Sequence, residues 1–160
     1  MSALAPPSDH VSSIMSTKVV TVKAGDKVSV ALRSMVRHKI GSIIVVEKGR
    51  AIGIITERDI SRSVAKAQNL GRMIVKSIMS KPLVTVPPSM EVWEAVELML
   101  RKDIRRLPVI ADDQIAGMVT EKDVMQWLVK VAYEPNIPED LKKLLETRAQ
   151  AHSLVGGQLR

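Results

Sequence analysis

The 160-residue chain has no cysteine and no phenylalanine, and its aromatic side chains are Trp93, Trp127 and Tyr133 alone. Without a thiol there is no disulfide framework, thiolate zinc site, iron–sulfur cluster or cysteine nucleophile. With so few aromatics the core has to be built from Val, Ile, Leu, Ala and nine Met. No apolar run approaches the roughly 20 residues that a membrane-spanning helix needs. Met1 to His10 lacks the basic head and apolar middle of a secretory signal. A soluble, cytoplasmic protein with no membrane partner is therefore expected, and 46% hydrophobic with 26% charged residues is a folding composition.

The net charge of +7 raises the possibility of a polyanionic partner. Its location narrows this: residues 11–60 carry nine basic and four acidic side chains, residues 61–75 three basic and none acidic, and residues 76–124 seven basic and eight acidic. The excess lies in the first half and the segment after it.

Self-comparison organises the chain. Ser13-Ile14-Met15-Ser16 returns as Ser77-Ile78-Met79-Ser80, and the same shift of 64 positions runs without a gap to Ile60 and Val124. About a third of the aligned positions are identical, among them Val20/Val84, Val22/Val86, Ala31/Ala95, Met35/Met99, Gly53/Gly117, Thr56/Thr120, Glu57/Glu121 and Asp59/Asp123. A unit of that size is marginal alone, so the two copies are expected to pack on each other. Within a copy, Val19 to Val22 reads as a short strand, and Ala24-Gly25-Asp26 as a turn. Val28, Ala31, Leu32, Met35 and Val36 fall on one face of a helix ending near His38 or Lys39. Ser42 to Glu47 and Ala51 to Ile55 are strands joined at Lys48-Gly49, and Thr56 opens a second helix. The predicted unit is β-α-β-β-α, in an α+β fold.

These patterns divide the chain into a tail over 1–9, a first repeat over 10–68, a linker over 69–75, a second repeat over 76–133, and a C-terminal helix and tail over 134–160. Asp9 is placed to cap a short helix leading to Ile14. After the second repeat, Pro135 and Pro138 interrupt regular structure, and Leu141, Leu144 and Leu145 resume helical spacing.

The strongest local signal is Gly53-Ile54-Ile55-Thr56-Glu57-Arg58-Asp59, matched by Gly117-Met118-Val119-Thr120-Glu121-Lys122-Asp123. Thr-x-x-Asp at a helix start is a capping pattern in its own right. It is also a hydroxyl and a carboxylate beside a helix N-terminus, an arrangement suited to a ribose diol next to a phosphate. The preceding glycine permits close backbone approach.

On these residues, together with Ile14-Met15-Ser16 and Ile78-Met79-Ser80, the chain over about residues 10–133 resembles a tandem pair of cystathionine-β-synthase (CBS) domains, a regulatory module for adenosyl ligands. The resemblance implies two repeats packed about a pseudo-twofold axis with two clefts between them, and a homodimer in the form of a disc. It implies composite sites. One would combine Thr56 and Asp59 with Leu83 and Val84 against an adenine, and with Arg105, Arg106 and Pro108, whose guanidinium pair suits a phosphate. The other would combine Thr120 and Asp123 with Val19, Val20, Ile40, Gly41 and Ser42. It departs from the pattern, because Gly41-Ser42-Ile43-Ile44 stands where the second repeat has Arg105-Arg106-Leu107-Pro108. The implied ligand is an adenine nucleotide (AMP, ADP or ATP), with S-adenosylmethionine as an alternative, and the implied role is an energy or metabolite sensor acting on an unidentified regulated protein.

Other features carry less. His10, His38 and His152 do not recur in the repeat and have no neighbouring ligand pattern, so no metal site is expected. No nucleophile with a base and no catalytic carboxylate pair stands out, so no enzymatic activity is expected. Nucleic-acid binding through the basic first repeat and linker is the competing reading, weakened by the lack of aromatic stacking platforms. Arg58 and Lys122 read as solvent-facing residues of a first helical turn. Val124, Met125, Trp127, Leu128 and Val131 form an apolar stripe suited either to a dimer contact or to the core.

Overall fold

The computed structural model describes residues 9–66 and 68–132; the C-terminal segment expected to be helical lies outside them. The first repeat runs β1 (Thr21–Lys23), α2 (Val28–His38), β2 (Ser42–Glu47), β3 (Arg50–Thr56) and α3 (Glu57–Ala65), preceded by the single turn α1 (Val11–Ile14). The second runs α4 (Val75–Ile78), α5 (Val92–Lys102), β4 (Arg106–Ala111), β5 (Gln114–Thr120) and α6 (Glu121–Ala132).

In the first repeat, β1 lies parallel to β2, with Val22 opposite Val45, so α2 is the crossover that a parallel pair requires. The burial of Ser42 through Val45 without alternation marks β2 as the central strand, covered on both faces. β2 and β3 form a hairpin whose turn residues Lys48 and Gly49 both have positive φ, at 50° and 78°, as its twist demands. Asp112 and Asp113 take the same left-handed conformation between β4 and β5. Along α2, Val28, Ala31 and Met35 are buried as the spacing predicts, whereas Val36, at the edge of the stripe, is 78% exposed.

The second repeat lacks a full first strand. Val86 makes only an isolated parallel bridge to Val109, leaving a two-stranded sheet. The cause is local: the Ala24 amide donates to the Val46 carbonyl at 3.0 Å, and Pro88, its counterpart, has no amide hydrogen. The expected first strand over Val19 to Val22 is also trimmed, with Val19 and Val20 lying ahead of β1.

Each core borrows the segment that precedes the other repeat. Val11 is fully buried among Val86, Val92, Leu107, Val119 and Trp127 of the second repeat, while Val75 and Met79 are buried with Val28, Ile43 and Ile55 of the first. The exchange is pinned by paired backbone bonds: Ser16 and Met118 exchange two at 2.9 Å, and Ser80 and Ile54 exchange two at 2.8 and 3.2 Å. These equivalent bonds express the pseudo-twofold relation between the repeats. Glycine is required at both crossings. A Cβ on Gly53 would stand 3.0 Å from the Ser80 carbonyl oxygen and 2.7 Å from Met79 Sδ, and one on Gly117 would stand 2.9 Å from the Ser16 oxygen. The motif glycines thus serve contact between chain segments.

Asp9 does not cap α1, whose N-cap is His10 without a side-chain bond. Its carboxylate accepts the Trp127 indole N–H at 2.7 Å instead, and its carbonyl accepts the Val92 amide. An indole donor buried in the core has to find an acceptor, and Asp9 supplies it. The α6 stripe is largely core: Val124, Trp127, Leu128 and Val131 are buried, and Met125 alone of the five is half exposed.

Candidate functional site

Two clefts open where the helix N-termini of one repeat face the strand start of the other. At the start of α3, Thr56 donates its amide to Asp59 Oδ2 at 2.8 Å and its hydroxyl to the same oxygen at 2.6 Å, while the Asp59 amide donates to Thr56 Oγ1 at 3.3 Å. At the start of α6, Thr120 and Asp123 repeat the three bonds at 2.8, 2.6 and 3.4 Å. The capping reading is therefore realised at both sites. Each Thr hydroxyl, with its proton committed to the Asp carboxylate and one lone pair to the Asp amide, keeps one lone pair to accept from a ligand hydroxyl.

The larger cleft, about 420 Å³, is lined by Thr120 and by Val19, Val20, Ile40, Gly41 and Ser42 of the first repeat. Asp123 is not on its wall; it accepts the hydroxyl of Thr120, which is. The smaller, about 170 Å³, is lined by Thr56 and Asp59. Arg105 and Arg106 line both. Leu83 and Val84, placed with Thr56 by the resemblance, are absent from the smaller wall, and Pro108 is buried within β4 opposite Met118.

Arg106 occupies the centre of the arrangement. Its Nη2 lies 2.6 Å from where a Cβ on Gly41 would stand, and Glu57 Oε2 lies 2.9 Å from that same point. Burial, and then the neighbouring Arg105 charge, pull the Arg106 guanidinium below the usual arginine range, while Glu57 and Glu121 oppose the shift. The helix starts carry the same symmetry: the Glu57 amide donates to the Gly41 carbonyl at 3.2 Å, and the Glu121 amide to the Arg105 carbonyl at 2.9 Å.

The sequence reading missed several residues on these walls, four of them polar groups close to the Thr–Asp pairs or the arginines. Lys18 and Lys39 line the larger cleft, and Lys122, read as merely solvent-facing, joins them. Ser80 lines the smaller one and donates to Asp59 Oδ1 at 2.7 Å. The signal for Lys39 was present in the repeat alignment, where its counterpart is Asp103. Arg58 is exposed but lies 3.6 Å from Asp103, an ion pair between the repeats. Among the described residues no group of His, Cys, Asp or Glu is arranged to hold a metal ion, and no helix is long and apolar enough to cross a membrane.

A family model described as the CBS domain matches the chain twice, over residues 11–66 and 75–130. The protein MK0525 of Methanopyrus kandleri is 44% identical over 115 residues, covering 70% of this chain and 58% of that protein, so the chain spans a little over half of that relative. The CBS domain-containing protein YhcV of Bacillus subtilis is 36% identical over 115 residues, covering 71% of this chain and 81% of that one. Among solved structures, a hexameric CBS-CP12 protein from bloom-forming cyanobacteria has a TM-score of 0.73 at 26% identity, covering 97% of this chain and 92% of that chain. The CBS domain pair of MJ0100, in complex with 5′-methylthioadenosine and S-adenosyl-L-methionine, has a TM-score of 0.72 at 24% identity, covering 78% of this chain and 98% of that chain, a likeness of fold alone.

Proposed function

The chain belongs to the CBS-domain family, and from that premise we propose that it is a non-catalytic regulatory module that binds an adenine nucleotide in the clefts between its repeats. One observation carries the reading: the Thr120 hydroxyl, at the N-terminus of the 12-residue α6, opens on a 420 Å³ cleft with an apolar wall of Val19, Val20 and Ile40 and basic side chains from both repeats. An apolar slot takes a base, the Thr120 hydroxyl meets a ribose, and guanidinium groups beside a helix N-terminus meet phosphate. The cleft volume falls within the few hundred Å³ typical of small-molecule sites. AMP, ADP and ATP share these parts. S-adenosylmethionine shares the adenosine but brings a sulfonium in place of phosphate, which the arginine pair disfavours. That the MJ0100 pair holds two adenosine-containing compounds supports the ligand class.

The ligand bridges residues of both repeats, so it favours whichever relative orientation closes the cleft around it, and regulation follows by population shift. A homodimer acting in the cytoplasm on a partner protein completes the proposal, and the hexameric neighbour supports self-association. Calorimetric titration of the ligand-stripped chain with AMP, ADP, ATP and S-adenosylmethionine tests the reading. Saturable binding of at least one adenine nucleotide, tighter than that of S-adenosylmethionine, is expected. No saturable heat from any nucleotide would overturn it.

A further inference from the structure

The repeat gives every wall residue of one cleft a counterpart in the other, so the two can be compared position by position. The Thr120 cleft presents five cationic side chains, Lys18, Lys39, Arg105, Arg106 and Lys122, against one carboxylate, Glu121. The Thr56 cleft presents four, Arg58, Arg62, Arg105 and Arg106, against three carboxylates, Glu57, Asp59 and Asp103. The difference comes from particular exchanges across the 64-residue shift: Lys39 against Asp103, Lys18 against Pro82, and Gln126 against Arg62. In the Thr56 cleft the two cations not shared with the other cleft are engaged, Arg58 with Asp103 at 3.6 Å and Arg62 with Asp59 at 3.7 Å. Asp59 is engaged on both oxygens, by Thr56 on one and by Ser80 and Arg62 on the other. Lys39 and Lys122 have no comparable ion pair among the described residues, and like charges gathered on one wall lower their energy by binding an anion.

Resting on the adenine-nucleotide reading above, we propose that the two clefts are unequal: the Thr120 cleft alone takes a polyphosphate tail, one per chain, while Arg58 and Arg62, the two cations that belong to the Thr56 cleft alone, are committed to Asp103 and Asp59. The lysines select for tail length, because a single phosphate beside Arg105 and Arg106 leaves Lys18 and Lys122 unused. Arg106 enforces the count of one, since its single guanidinium faces both clefts and cannot clamp a tail in each. Gly41, where the second repeat has Arg105, is the vacated space that lets Arg106 cross between them.

The test is calorimetry on the full chain with three probes, ATP, adenosine and inorganic tripolyphosphate, at moderate ionic strength. ATP and tripolyphosphate are expected to saturate at one per chain. Lys18→Gln/Lys122→Gln, both exposed positions, should weaken each at least tenfold, and Arg58→Gln should leave both within twofold. Asp103→Lys, which frees Arg58 and adds the counterpart of Lys39, should still bind one equivalent, because Arg106 remains shared between the clefts. Two equal equivalents in the unaltered chain would overturn the proposal, as would equal losses in Arg58→Gln and the lysine double variant. The two readings fail separately. Tripolyphosphate bound once per chain as tightly as ATP, with adenosine silent, supports the polyanion site and removes the nucleotide. Adenosine bound as tightly as ATP, with tripolyphosphate silent, keeps an adenosyl ligand and overturns the polyanion site. Silence from all three overturns both.

Discussion

Arg106 of the second repeat lies over Gly41 of the first, its Nη2 2.6 Å from the position that a Cβ there would take. The contact converts the exchange of Arg105 for Gly41 between the repeats into a difference between the sites, because a residue larger than glycine displaces the guanidinium that both clefts share. Gly41→Ala is therefore expected to act on binding more than on folding. The atoms its Cβ meets, Arg106 Nη2 and Glu57 Oε2, are the free ends of flexible side chains, so the stability change should stay below about 1 kcal/mol. ATP affinity should fall about tenfold, equivalent to about 1.4 kcal/mol. Parallel thermal unfolding and calorimetry check the split, and a large loss of stability with unchanged affinity would refute it.

Lys39 caps α2 in the left-handed region, with φ 53° and ψ 45°, where a side chain costs about 1 kcal/mol relative to glycine. Lys39→Gly should raise unfolding stability by about that amount and weaken binding of ATP, a trade of stability for function at a single position. Denaturant unfolding with and without ATP measures both. A variant that is both less stable and fully active would contradict the assignment.

Gly53 and Gly117 sit where the exchanged segments cross, and the nearest backbone atoms to an added Cβ are carbonyl oxygens at 3.0 and 2.9 Å. Backbone cannot swing aside as a side chain does. Gly53→Ala and Gly117→Ala should each cost about 1–3 kcal/mol, the range for overpacking. The loss should appear as faster amide exchange at Ser80 and Ser16, whose bonds to Ile54 and Met118 hold the crossing together. Exchange left unchanged at those amides would show that the crossing tolerates a Cβ.

Much of this was legible in the sequence because the chain states its pattern twice. The helix over Val28–His38, the hairpin turn at Lys48-Gly49 and the Thr–Asp caps follow from spacing and turn chemistry within one repeat. What escaped depends on contacts between repeats. Nothing local to Val11 or Val75 indicates that each is buried in the other repeat's core, and nothing local to Arg106 indicates that it faces both clefts. The loss of a full strand at Val86 was readable in principle, since Pro87 and Pro88 follow it directly, but the strength of the repeat alignment masked it. Asp9 misled because a carboxylate near a helix start fits a cap locally, while its partner Trp127 lies 118 residues away.

Lys76 of α4 donates to Glu47 of β2 at 2.8 Å, and this hydrogen bond with its charge holds the Glu47 carboxyl below the usual carboxylate range. A carboxyl whose folded pKa is depressed contributes stability that is present above its unfolded value, about 4.3, and is lost as pH falls through the folded value. Lys76→Met should therefore return the Glu47 titration toward its ordinary range, read by NMR of its side-chain carbons, and remove this part of the acid sensitivity of unfolding. The pair is solvent-facing, so stability near neutral pH should barely change. A Glu47 titration that stays low in Lys76→Met would assign the shift to another cause.

A partly buried hydrogen bond ties the segment before α1 to α6. Trp127 is 4% exposed, and its indole N–H meets Asp9 Oδ2 at 2.7 Å, so one hydrogen bond joins the segment before α1 to the helix that follows Thr120 and holds Asp123 in its first turn. A carboxylate acceptor makes this bond stronger than a neutral one, on the order of 1.5–3 kcal/mol. Asp9→Ala leaves the indole donor unsatisfied in the core, whereas Asp9→Asn keeps an acceptor and loses only the charge. Asp9→Ala should cost about 2 kcal/mol and Asp9→Asn about half of that. Trp127 fluorescence separates the bond from general loosening, using a Trp93→Phe background so that one indole reports. In Asp9→Ala the emission should shift as the donor takes water in place of the carboxylate, and in Asp9→Asn it should stay near that of the parent. Equal losses in the two variants would place the role of Asp9 in its charge rather than in its acceptor geometry. A loss in neither would leave the Val92 amide bond to the Asp9 carbonyl, which both substitutions retain, as the contact that holds this segment.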